Sequence, residues 1–413
     1  MINLPVAIGL SPNTGRDDYV RAFKTLIQPW KWKQGESIQE VEDWFKNYFS
    51  ARSAVAFNAG RSGLLAILTA FGIGSDDEVL VQAFTCVAVP NSVLWAGAQP
   101  VFVDIDASLN IEIADAQKKI TPHTKALIVQ HTFGIPADME KIVSFCKKHK
   151  IVLIEDCAHA LGARYKGKLV GTFGDAAFFS FGRDKIISSV FGGIVITNNK
   201  IYSTKITQYF EQLKYPSYFW ILQQLLHPLV LSIVLPTYTI LNFGKALLWF
   251  FQQINLLSLP VYKPEKIGKQ PRNFPQKYPN ALAQLLLIQL QKLEQMNTRR
   301  REIAEQYFTK LSAAKLKLPE KMPEAVYLRF NVITTHADQL RFQAKKQKVL
   351  LGNWYTHLID PKGTDCNIIG YESGSCPNAE RIAQLSLNLP TYERLTQKQI
   401  QQIINLLNKV EGV

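Results

Sequence analysis

Between residues 53 and 198, short apolar runs alternate with stretches of helical spacing. The runs at 53–57, 79–83, 99–103, 126–130, 151–155, 176–181 and 192–198 have strand length and read as seven strands. Strands interleaved with helices predict a mostly parallel sheet covered on both faces. The last run follows its neighbour too closely for a full helical crossover, which allows one antiparallel member. Upstream, Val20, Phe23 and Leu26, then Val41, Trp44, Phe45 and Phe49, give residues 17–50 helical spacing. Downstream the pattern predicts a long helix at 281–312, strands at 316–318, 325–333 and 348–351, and a closing helix at 397–410. These make a smaller α+β domain. The chain thus divides into 1–210, 211–270 and 271–413.

The middle division breaks the pattern. From Tyr215 to Tyr262, Lys245 is the only charged residue, and Pro228, Pro236, Gly244 and Pro260 divide the stretch. Spanning about 30 Å of hydrocarbon takes about 20 mainly apolar residues in a helix. The tidiest piece, 218–235, contains Gln223, Gln224 and Pro228, which argues against a clean span. Two readings stay open. Short helices could lie in a membrane interface, with Tyr218, Trp220, Tyr238 and Trp249 as interfacial aromatics. Lys205, Lys214, Lys263, Lys266, Lys269 and Arg272 would then face anionic headgroups. Alternatively the stretch packs inside the protein or in a dimer interface.

Composition narrows the class. A net charge of +14 favours polyanionic partners such as nucleotide-linked substrates or an anionic membrane face. The basic clusters at 147–150, 299–301 and 345–346 fall inside predicted amphipathic helices and read as solvated faces. No basic stripe interleaved with stacking aromatics points to nucleic acid. Five cysteines, an odd number without metal-ligand spacing, suit a reducing compartment rather than a disulfide framework. The first residues read as no signal peptide, and a cytoplasmic enzyme is expected, with contact at the inner membrane face if 215–262 meets lipid.

Two residues carry candidate chemistry. Asp156 stands just past the run at 151–155, and Lys185 just past the run at 176–181. In an open α/β sheet, side chains at strand carboxyl ends point into the crevice where ligands bind. A carboxylate to pair with a pyridine nitrogen and a lysine to bond an aldehyde are what pyridoxal phosphate (PLP) chemistry requires. The lysine must be neutral to act, which desolvation and neighbouring cations promote. The plainer alternative for Asp156 is a helix N-cap.

The segments Glu155–Ala163, Gly171–Ala176, Ser180–Lys185 and Gly192–Thr197, in that order, resemble the DegT/StrS-type sugar aminotransferase family. The closing segments Ser375–Glu380 and Leu387–Thr391 extend the resemblance, which runs from about residue 17 onward and is broken near 215–262. It implies a fold-type I PLP-dependent architecture. It also implies that Lys185 holds the cofactor and moves a proton, with Asp156 at the ring nitrogen and His159 beside the ring. Gly60, Arg61 and Ser62 align with the phosphate-binding turn, and Ser180 with a hydroxyl that helps it. Relatives that dehydrate sugars carry histidine where Lys185 stands, so lysine favours transamination. Tyr355 and His357 lie where relatives bring substrate-facing residues, though packing at a domain seam is an equal reading. By the same resemblance the donor is glutamate, the acceptor a keto group on a nucleotide-linked sugar for surface polysaccharide or a related glycan, and the enzyme a homodimer.

Three departures from the family pattern stand out. Cys86 occupies the place of an aromatic that stacks on the cofactor ring, leaving Cys86, Phe84 or another side chain to do so. Before the long helix, Pro275 and Lys277 replace an asparagine and an arginine. Arg183 brings a new cation beside the lysine, as a candidate substrate contact. Two other functions remain open: a PLP enzyme acting on a lipid-linked sugar, and a catalytically altered sensor.

Overall fold

The seven apolar runs pair into one sheet. In the computed structural model, which describes residues 5–238, 240, 242–312 and 316–409, they become β1 (Ser53–Phe57), β2 (Glu78–Gln82), β3 (Gln99–Val103), β4 (Thr124–Gln130), β5 (Val152–Asp156), β6 (Ala176–Ser180) and β7 (Gly193–Thr197). Their order across the sheet is β1-β7-β6-β5-β4-β2-β3. Neighbours run parallel except at β7, which is antiparallel to both β6 and β1. β7 follows β6 after a loop with no crossover helix, as its spacing allowed.

Side-chain alternation explains why both faces are covered. Ala54, Ala56, Ile194 and Ile196 point into one buried cluster, while Val55, Phe57 and Val195 point into another. Helices α1 (Arg16–Leu26) and α2 (Ser37–Phe49) lead into the sheet, and α3 (Gly60–Ala70) and α4 (Ala88–Trp95) follow β1 and β2. Phe45 and Phe49 of α2 enter the first cluster, and Leu64 and Ile67 of α3 the second. Close approach depends on two glycines. A Cβ on Gly63 would meet Val195 Cγ2 at 2.8 Å, and one on Gly193 would meet the backbone nitrogen of Gly60 at 2.5 Å.

Glu42 of α2 accepts a 2.9 Å hydrogen bond from Ala56 N–H of β1. Burial pushes its carboxyl up to about 7, against the pull of that bond and of Lys46. A carboxyl raised on folding stabilises fully below its unfolded pKa and loses that contribution as pH rises through the folded value. Stability is therefore expected to fall between about pH 4.5 and pH 7, by at most about 3 kcal/mol, less whatever solvent screening removes. Glu42→Gln keeps the Ala56 bond and should flatten that part of a thermal-melt series.

Residues 211–270 contribute α5 (Tyr218–Thr237) and α6 (Phe243–Gln253). α5 packs on α1, on α6 and on α7 (Asn280–Leu290). Trp220, which the sequence offered to a membrane interface, is 2% exposed, and its Nε1–H donates to the Tyr262 hydroxyl at 3.1 Å. The predicted helix at 281–312 is two helices, α7 and α8 (Leu293–Lys310), with a turn at Gln291 and Lys292. The turn lets α8 direct the buried Asn297 to Leu161 O in the loop after β5 and the buried Arg300 to Ile186 O in the loop after β6.

The C-terminal elements form a smaller α+β unit. Phe330–Ile333 pairs antiparallel with Ser386–Leu389, packed by helices 337–346, 377–385 and 397–408. The predicted strand at 325–333 is thus shorter, 316–318 contributes a single bridge from Lys317 to Ile333, and Val349–Leu350 pairs with Val6–Ala7 instead. Residue 410 of the predicted closing helix lies outside the described residues.

Candidate active site

Three parallel strands end side by side. Gln130 of β4 is in register with Asp156 of β5, which is in register with Phe178 of β6. The loops beyond them, the start of α3 and the segment 354–355 enclose a cavity of about 120 Å³. Of the residues singled out by sequence, Gly60, Arg61, Cys86, Asp156, His159, Ser180, Arg183, Lys185 and Tyr355 line it.

One end suits an anion. α3 begins at Gly60, and the first amides of a helix have no acceptor within it. Ser180 lies over this start: a Cβ on Gly60 would sit 3.0 Å from Ser180 Cβ and 3.4 Å from Ser180 Oγ. The hydroxyl therefore faces the helix end where phosphate oxygens would lie. Ser62 does not reach the cavity with its side chain. Two residues beyond Gly60 the helix has turned, and Ser62 Oγ donates to Asn58 Oδ1 at 2.8 Å in the interior. The Arg61 guanidinium is also engaged, in an ion pair with the buried Glu265 and a 2.8 Å bond to the Pro260 carbonyl.

The middle of the cavity suits an aromatic ring bearing a protonated nitrogen. Asp156 is 4% exposed, and its Oδ1 accepts from Ala158 N–H at 2.9 Å. Burial raises its pKa, while that bond, Lys185 and His131 oppose the rise. Such a carboxylate gains from a cationic N–H partner. His159 Nδ1 accepts from Phe133 N–H at 3.3 Å, which assigns the ring proton to Nε2, 3.5 Å from the Tyr355 hydroxyl. Burial, then Lys185 and Arg329, depress the His159 pKa well below the usual histidine range, so the ring is neutral.

Lys185 sits opposite. Its Nζ lies 4.7 Å from the centroid of the Trp354 ring, and the Arg329 guanidinium lies 3.7 Å from the same ring. Arg329 bonds Asp184 at 3.1 Å. Burial lowers the Lys185 pKa and Arg329 adds to that, against Asp184, Cys86 and Asp156. The loop backbone is pinned from behind: Asn13 Nδ2 donates to the carbonyls of Lys185 and Ile186 at 2.6 and 3.0 Å. Arg300 donates to Ile186 O at 2.8 Å and to Asn13 Oδ1 at 3.0 Å.

The departures from pattern find places. Cys86 lines the cavity, whereas Phe84 is buried behind it, perpendicular to Tyr355 at 5.3 Å. Arg183 donates through Nη2 to Ser258 O and Oγ, both at 2.6 Å, so its charge is anchored on the segment after α6. Lys277 spreads its ammonium over Phe210 and Tyr215 of its own chain, at 4.9 and 5.7 Å. His357 lies apart from the cavity: beyond Tyr355 its ring turns to Thr356 Oγ1 at 3.1 Å and lines a separate groove with Cys366 and Tyr371. Sequence reasoning missed Gln130, Trp354, Arg329, Asp184 and Asn13. Gln130 alone carried a signal, since it ends a central strand as Asp156 does.

The buried group His131, Glu155 and Cys157 is structural. His131 Nδ1 accepts from Ala137 N–H, leaving Nε2–H for Glu155 at 3.3 Å, and Glu155 also takes the amides of Gly171, Phe173 and Gly174.

A parallel sheet whose strand ends hold a lysine and an acid across a cavity with an anion-binding helix start defines a fold-type I PLP-dependent transferase. The chain belongs to the DegT/DnrJ/EryC1/StrS aminotransferase family, whose model matches residues 13–215 and 263–408. An uncharacterised protein of Methanocaldococcus jannaschii is 29% identical over 97% of this chain and 96% of its own length. GDP-perosamine synthase of Escherichia coli O157:H7 is 40% identical, over 45% of this chain and 51% of that enzyme. Among solved structures, DesV of S. venezuelae, in complex with a ketimine intermediate, superposes with a TM-score of 0.73 at 25% identity, covering 95% of this chain and 94% of that one.

Proposed function

We propose that this aminotransferase moves an amino group from glutamate to the keto group of a nucleotide-linked sugar, with PLP as cofactor. The observation that carries the reading is the pairing of Lys185 and Asp156 across one cavity in a chain of this family. The similarity to an enzyme named for an amino-sugar nucleotide supports the acceptor class. When bound, the cofactor supplies an electron sink that makes the hydrogen of an amine-bearing carbon acidic. The protein's residues do the rest. The Gly60 and Arg61 amides and the Ser180 hydroxyl hold the phosphate. Asp156 holds the proton on the ring nitrogen. Neutral Lys185 would take the proton from the donor carbon at Nζ and pass it to the bound cofactor, and would run the same transfer in reverse for the acceptor. His159 and Tyr355 orient the ring edge, and Trp354 and Cys86 keep water from its faces.

A net charge of +14 suits a diphosphate-bearing substrate. Five unpaired cysteines suit a reducing cytoplasm. A homodimer is supported by Val20 and Phe23 on α1, Ile27 at its C-terminal cap and Trp30 just beyond, all exposed on one chain. The test is the visible absorbance of the purified protein. A cofactor band that moves to shorter wavelength with L-glutamate, and returns with its keto acid, is the expected result. A band that glutamate leaves fixed would remove glutamate as the donor.

A further inference from the structure

Helix α6 is apolar on two sides. Its inner residues Leu247, Leu248 and Phe251 pack with Val230, Leu231 and Val234 of α5. Its outer residues Phe243, Trp249 and Phe250, with Ile254 at its C-terminal cap, are 57%, 61%, 49% and 51% exposed. Phe243, Phe250 and Ile254 recur at helical spacing and form one stripe, with Trp249 beside it. Ile233 of α5 and Ile240 in the connection are exposed as well. A surface helix of a water-facing protein carries polar or charged groups on its outer side. Here Lys245 and Gln253 share the outer side with these large apolar groups, a larger apolar face than a water-facing helix carries.

Three observations select its partner. The family match passes from residue 215 to residue 263, so the surface lies outside the segments the family model shares. The segment 215–262 has no aspartate or glutamate; its one charge is the exposed Lys245, and the exposed Lys214, Lys263, Lys269 and Arg272 flank it in sequence. On the helix itself the charge is Lys245, so the complement of this face is apolar with an anionic group to meet that cation. Length and tethering settle how it can meet lipid. The 11 residues of α6 are about 17 Å long, short of the roughly 30 Å of hydrocarbon. α5 has the length and a mean hydropathy of 1.6, but its polar residues fix it to the protein. Gln224 Oε1 accepts from Ser258 Oγ at 2.6 Å, and His227 Nε2 lies 2.9 Å from Ser11 Oγ. Neither helix is arranged to cross.

We propose that the outer face of α6 seats in the surface of an anionic lipid bilayer, anchoring the enzyme peripherally. Pro260 and Val261, on the same segment, line the active cavity, and Ser258 holds Arg183 two residues before Lys185. The docked face and the site are therefore one packed unit, and lipid contact bears on the cavity through these residues.

The test uses the holoenzyme and sedimentation with vesicles of phosphatidylcholine alone or mixed with phosphatidylglycerol. Binding to the anionic vesicles is expected to exceed binding to the neutral ones by roughly tenfold or more, and to weaken in about 0.5 M NaCl. The double variant Trp249→Ser with Phe250→Ser should lose about tenfold or more of that binding. Because both side chains are exposed, it should keep its cofactor absorbance and melting temperature. Absence of vesicle binding by the wild type, or equal binding by the variant, overturns the proposal. So does self-association that the variant abolishes while vesicles are ignored, which would assign the face to a second copy. The glutamate-dependent spectrum is read separately, so failure here leaves the proposed reaction standing.

Discussion

Replacing Lys185 by alanine is expected to cut turnover by roughly 10⁴-fold or more while leaving the fold at full stability. A positioned proton shuttle contributes about 10²–10⁴-fold, and alanine also removes the group that holds the cofactor covalently. The cost to the fold is small for a specific reason. The described contact of Lys185 Nζ is with the Trp354 ring, which Arg329 also covers, and the loop itself is held by Asn13 and Arg300 acting on backbone carbonyls. Burial lowers the Lys185 pKa, so a buried ammonium is not what holds this loop in place. The cofactor-free variant should therefore melt close to the cofactor-free wild type, and with PLP added the variant's visible band should be that of freely bound rather than covalently held cofactor. Turnover within tenfold of the wild type would remove Lys185 from the mechanism. A large fall in melting temperature would instead make it a packing residue.

The chemistry of this pair was legible in sequence because strand ends are. A buried parallel strand is a continuous apolar run, so the residue after it is placed even when its partners are not. Asp156 and Lys185 both stand after such runs, and the structure brings them to one cavity. Positions defined by a turn of helix or loop were less legible. Ser62 shares a short motif with Gly60, yet the helix rotates its hydroxyl to Asn58. His357 follows Tyr355 by two positions, yet the loop sends it to another groove. Arg329 had no local signal at all. It sits among apolar residues of the small unit, and only the tertiary fold, which brings Trp354 and Asp184 to it, leaves it 2% exposed. The 211–270 region shows the limit of hydropathy alone. An apolar helix facing protein and one facing lipid have the same composition, and the buried Trp220 and exposed Trp249 were indistinguishable until their neighbours were known.

Asp156 admits two roles, and Asp156→Asn separates them. Its Oδ1 accepts from the amide two residues on, the geometry of a local turn cap. Asparagine has the same shape and supplies the same acceptor, so if capping were the whole role the variant would behave as wild type. The environment argues for more. A carboxylate 4% exposed, raised in pKa by burial and facing Lys185 across the cavity, is a costly way to cap a turn. The cost is offset only when a cationic ring N–H occupies the cavity beside it. Removing one partner of a buried charge pair costs about 3–5 kcal/mol, which is about 10²–10⁴-fold in rate. The glutamate half-reaction of Asp156→Asn should slow by that factor, while the cofactor-free protein, relieved of a buried charge, should melt no lower than the wild type. A half-reaction at the wild-type rate would return Asp156 to a cap. A slow half-reaction in a protein of unchanged stability would assign its charge to the cofactor ring, because in that case nothing in the fold itself has been lost.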